Sequence, residues 1–195
     1  MPIEFGEWAV ARKTRHHGVT VGLFLLGDQS PLLLLERVTN ALDLIAEVDP
    51  RRYRRLQHDD VRLLVEDGPM CQYLSMTNTC VLSLDAVQNR PREQLALAII
   101  HEAAHARLYR AGVGFERKHQ ARQERCCVLE QIDFLRRLGA LGYRGTDAWI
   151  QYFQNALSRP WWGREAIHKR VLHYLRRSDF SPRLIRLYDF LCRPR

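Results

Sequence analysis

The stretch from Arg92 to Ala111 contains no proline and no glycine, so it forms one uninterrupted helix. Inside it lies His101-Glu102-Ala103-Ala104-His105, an HExxH motif. Residues four apart in a helix lie one turn apart on the same face, so His105 projects about 40° from His101. Leu97, Ala98, Ala104 and Leu108 fall within about 60° of His101. Ile99 and Ile100 point elsewhere, which makes the helix apolar nearly all round and marks it for the centre of a fold. Two histidines and a glutamate on such a helix are costly to bury unless something pairs with them. A metal ion would: two imidazoles at this spacing can hold one zinc, and the adjacent glutamate can act as a base.

A third protein ligand is then needed. The candidates downstream are Glu116, His119, Glu124 and Glu130, on or near a second helix expected from about Glu116 to Leu138 and ended by Gly139. With Glu124 as the reference angle, Ala121, Val128, Leu135 and Leu138 lie within about 60°, so Glu124 sits on the apolar stripe. Glu130 is about 120° off that stripe and His119 about 140° off. Glu116 is too near the turn to be phased. The order of preference is Glu124, then His119, then Glu130.

The rest of the chain alternates between two periods. Leu32–Val48 has helical spacing after Pro31, and Asp49-Pro50 stops it. Arg51–Arg55 is a basic knot that reads as a solvated helix end. Val61–Glu66, Cys71–Met76 and Thr79–Leu84 read as three short strands, with turns at Asp67-Gly68-Pro69 and Thr77-Asn78. Residues 1–30 carry β-prone runs at Glu7–Ala11 and Val19–Leu26, and His16-His17 lies in a polar stretch expected to be solvated. Thr146–Leu157, Arg164–Arg177 and Pro182–Cys192 read as three further helices. The expected class is α+β: an N-terminal helix, a small mixed sheet, the HExxH helix and its ligand helix, then a helical tail. Two regions follow from this, a core over 1–145 and a basic helical extension over 146–195 packed on it.

Here the residues resemble a known family. His101-Glu102-x-x-His105, with Glu124 on the next helix, is similar to the gluzincin metallopeptidases, and the likeness covers about residues 31–138. It implies a zinc ion held by His101, His105 and Glu124, with Glu102 activating zinc-bound water to hydrolyse the peptide bonds of a protein or peptide substrate. It also implies that substrate pairs with an edge strand, mapped here onto Thr79, Cys80, Val81 and Leu82. The chain departs from larger gluzincins in carrying Val128 where an aspartate bonded to the first histidine is common, so that support must come from elsewhere. Tyr152, His168, His173 and Tyr174 are available as oxyanion donors, although each reads more simply as a packing residue. A second likeness is to SprT-type, DNA-associated zinc proteases, with His119 as third ligand; the glycine and aromatic residue expected after that histidine are absent. The glycine and third histidine of the metzincin pattern are also absent.

Charge narrows the partners. Residues 156–195 carry 10 basic and 3 acidic groups, whereas residues 1–155 carry 20 and 19. A basic tail can dock nucleic acid or an anionic protein, which leaves a third reading: an idle zinc-binding module working through that tail. Since 27 of the 30 basic residues are arginine, a general arginine bias explains the charge equally simply, and nucleic acid is not the favoured partner. Trp161-Trp162 reads as a clamp between tail and body. The five cysteines are odd in number and lack a CxxC pair, which favours a reducing cytoplasm; Cys126 and Cys127 read as small buried apolar residues. The start of the chain does not read as a signal peptide, and the runs Val19–Leu26 and Leu32–Leu35 fall far short of a membrane span.

Overall fold

The computed structural model describes residues 12–24, 30–114, 119–158, 164–177 and 181–192. Glu7–Ala11, the candidate ligand Glu116, the Trp161-Trp162 pair and the side chain of Tyr174 lie outside the described residues.

The chain folds as a mixed α/β molecule with a five-stranded sheet and a helical C-terminal region. It begins with a hairpin of β1 (Arg12–His16) and β2 (Val19–Phe24). The two residues between them, His17 and Gly18, both have positive φ, 43° and 88°. That two-residue turn has the twist a hairpin requires. Helix α1 (Pro31–Val48) starts with proline in its first turn and buries Val38, Leu42 and Ile45. Asp49-Pro50 ends it as the spacing requires, but a second helix, α2 (Pro50–His58), starts at once. Asp49 caps it, its Oδ1 accepting from the Arg52 backbone N–H at 3.0 Å. The basic knot is therefore a helix of its own.

Strands β3 (Arg62–Glu66), β4 (Gln72–Leu74) and β5 (Thr79–Ser83) complete a sheet of order β1-β2-β3-β5-β4. β2, β3 and β5 run parallel at its centre, and β1 and β4 are antiparallel edges. Three strands were legible in the middle of the chain. The charged β1 has no apolar alternation to reveal it, because an edge strand needs only its partner's hydrogen bonds. Leu84 leaves the sheet: the Ser83 hydroxyl accepts from the Ala86 N–H at 3.3 Å and starts the short helix α3 (Leu84–Asn89).

The motif helix α4 (Arg92–Arg110) packs against α1 and β5, and α5 (Gln120–Ala140), which carries Glu124, packs against α4. Leu42, Ile45, Leu63, Leu82, Ile99 and Phe134 are fully enclosed in one continuous core. Gly139 does not end α5. It lies within the helix because α6 (Thr146–Ser158) approaches there: a Cβ on Gly139 would stand 2.8 Å from Thr146 Oγ1. α6 adds Phe153 and Ala156 to the main core. The last helices, α7 (Arg164–Arg177) and α8 (Pro182–Cys192), pack on each other. Among the described residues no helix is long and apolar enough to cross a membrane.

Candidate metal centre

α4 is central as its sequence requires, and eleven of its residues, from Leu95 to Ala106, are buried, His101, Glu102 and His105 among them. The imidazole rings stand edge to face with centroids 5.0 Å apart. Across from them, Glu124 projects from the first turns of α5. Its Oε2 is 3.2 Å from His101 Nε2, and its Oε1 is 3.6 Å from His105 Nε2. Nitrogen and oxygen ligands bonded tetrahedrally to one zinc at about 2.0–2.1 Å stand about 3.3 Å from one another. The two separations from Glu124 are of that size, so His101, His105 and Glu124 could hold a zinc ion.

Support for His101 comes from Gln131, two turns beyond Glu124. Gln131 Nε2 donates to the Leu97 carbonyl at 3.0 Å, which turns its Oε1 toward His101 Nδ1 at 3.2 Å. An amide oxygen only accepts, so His101 Nδ1 carries the proton and Nε2 faces Glu124. This is the partner that Val128, enclosed in the core, cannot supply.

Electrostatics divides the roles. Glu102 is enclosed, and burial, reinforced by the Glu124 carboxylate and partly offset by His101, pushes its pKa up to about 7. Burial, together with His101, pulls His105 down to about 4, which keeps it neutral. Burial also opposes a charge on His101, but its hydrogen bond to Glu124 and the charges of Glu102 and Glu124 outweigh that and raise it. Burial raises the thiols of Cys71, Cys80 and Cys127, and the charge of Glu102 adds to the rise in each.

The remaining expectations divide. Glu130 is taken by two arginines, Arg52 through Nη2 at 2.7 Å and Arg107 of the motif helix. His119 stands at the start of α5 and lines a cavity of about 350 Å³ with Leu108, Gly112–Gly114, Arg122 and Cys126. Among the described residues no ion pair or ligand cluster joins it to His101 or His105. The edge-strand assignment is corrected: Thr79, Cys80, Val81 and Leu82 are buried in β5, which is hydrogen-bonded on both sides by β3 and β4. The edge beside the motif helix is β4, which packs against α4. His168 is buried, bonded to Asp189 at 2.8 Å and stacked on Tyr188, which is a packing role; Tyr152 is exposed beside Trp149 and Phe153. Of the His16-His17 pair, His17 is exposed as expected, whereas His16 is half-buried with Nε2 2.6 Å from Asp43 Oδ1.

Three residues were missed. Arg52, read as part of a solvated end, is buried and joins Asp49 (2.6 Å), Glu130 and Asp133 (3.2 Å). Gln131 and Cys127 both face the histidines. Their signal was present, since they lie seven and three residues past Glu124 on one helix face. Cys127 is buried, as read for a small apolar residue, and burial with the nearby carboxylates drives its thiol pKa far up.

Comparison with protein-family models, with curated proteins and with solved structures finds no match.

Proposed function

We propose that this chain is a zinc-dependent metallopeptidase with a gluzincin-like centre of His101, His105 and Glu124. The observation that carries the reading is the Glu124 carboxylate set against the Nε2 atoms of both histidines, at 3.2 and 3.6 Å, next to an enclosed Glu102. Zinc bound there would supply Lewis acidity, polarising a substrate carbonyl and making water nucleophilic near neutral pH. Glu102, enclosed beside the two histidines, could take a proton from the attacking water and return it to the leaving amine. Gln131 holds the tautomer of His101 that leaves Nε2 available as a ligand. β4, the edge strand packed against α4, could offer backbone groups to an extended peptide.

The test is metal content by mass spectrometry on the untagged protein, wild type beside Glu124→Ala and His119→Ala. The expected result is about one zinc per chain, lost in Glu124→Ala and kept in His119→Ala. Loss in His119→Ala alone would favour the SprT-like ligand set. Wild-type protein that takes up no zinc after reconstitution would overturn the metal centre.

A further inference from the structure

Catalytic zinc sites hold the metal with three protein ligands and leave one position open, whereas structural sites close all four. The centre described above has a fourth donor within reach. One ligand atom each from His101, His105 and Cys127 lie within 4.8 Å of one another. Cys127 is one turn past Glu124 on α5, so both project from the same helix toward the same two imidazoles. Its thiol is free and buried. Neighbouring Cys126 is also a free thiol, but it turns away to line the cavity at the start of α5.

We propose that Cys127 is a resting fourth ligand, capping the metal held by His101, His105 and Glu124, so that the site is closed until the sulfur leaves. The inference rests on the metal-centre reading above. It adds a latent state to it: the position that water would occupy is taken by sulfur. On capping, the S–H bond breaks, the proton passes to solvent and a sulfur–metal bond forms. On opening, that bond would break, the sulfur would take a proton back from solvent, and water would take the vacated position. Thiolate is a strong ligand for zinc and for cobalt(II), so the capped state is the one expected at rest.

Cobalt(II) is the probe, because its bond to a thiolate gives a near-ultraviolet charge-transfer band that imidazole and carboxylate ligands do not. Metal-free full-length protein is titrated with cobalt(II) alone, as wild type, Cys127→Ala, Cys127→Ser and Cys126→Ala. Circular dichroism checks that each variant is folded. The expected result is one cobalt per chain, with the band in wild type and Cys126→Ala and without it in both Cys127 variants. Binding to wild type should also release about one proton more than binding to Cys127→Ala. One cobalt with no thiolate band in wild type would overturn the cap and leave the three-ligand centre intact. A band lost only in Cys126→Ala would overturn it as well. No cobalt bound to folded wild type would overturn both the cap and the centre beneath it.

Discussion

Gln131 Oε1 accepts a hydrogen bond from His101 Nδ1 at 3.2 Å while Gln131 Nε2 is held by the Leu97 carbonyl at 3.0 Å. The amide is clamped between a backbone group of the motif helix and a ring on that helix, so it cannot rotate without breaking both bonds. It thereby sets ring orientation and tautomer together. Gln131→Leu is expected to weaken zinc binding by about 10–100-fold without removing a ligand. Competition against a chromophoric chelator measures this, and an unchanged affinity would show that packing alone orients the ring.

Glu102 touches no ligand role in this arrangement, so its loss should separate binding from chemistry. Glu102→Gln is expected to keep about one zinc per chain and to lower peptide hydrolysis by about 10²–10⁴-fold, the range of a general base. Full turnover in that variant would remove Glu102 from the mechanism.

The raised pKa of Glu102 also has a stability consequence for the metal-free protein. A carboxyl raised to about 7 favours its protonated form in the folded state. Its contribution is complete below the unfolded value, 4.5, and is lost as pH rises through about 7. The loss is on the order of 3 kcal/mol at 1.36 kcal/mol per unit. His105, lowered to about 4, acts oppositely: its contribution is complete above 6.5 and is lost as pH falls through about 4. Comparing wild type with Glu102→Gln isolates the first effect. The variant should gain Tm relative to metal-free wild type as pH rises from about 5 to 8. A constant difference across that range would show that Glu102 titrates normally.

Arg52 ties the joint between α1 and α2 to α5, and Glu130 carries the tie on to Arg107 of the motif helix. Removing its guanidinium leaves the buried Asp49 and half-buried Glu130 without it, although Arg137 Nε, 3.4 Å from Asp49 Oδ2, keeps part of the first pairing. Arg52→Ala is expected to destabilise the fold by about 3–5 kcal/mol, read from urea unfolding. A loss under about 1 kcal/mol would place Arg52 with ordinary surface pairs.

The helices were legible because their burial is local: α1 and α5 show a buried face at intervals of three and four residues, and α4 is an unbroken run buried nearly all round. Two of the three metal-ligand candidates, with Glu102 between them, were legible for the same reason, since four residues of helix place His105 beside His101 whatever surrounds them. Phase alone also preferred Glu124, the residue the structure brings to both histidines. What periodicity could not supply was anything made by pairing distant segments. β1 is a strand only because β2 lies beside it, and β5 is interior only because β4 turns back to cover it. Arg52 is buried only because α5 brings Glu130 and Asp133 to it from 78 and 81 residues away. Gln131 and Cys127 were already on the face of Glu124, but an amide or a thiol on a helix stripe has no chemistry until a second helix presents something to bind. The sequence by itself determined which side chains share a helix face; the packing of α4 against α5 decided which of them meet, because that depends on contacts between segments no local pattern records.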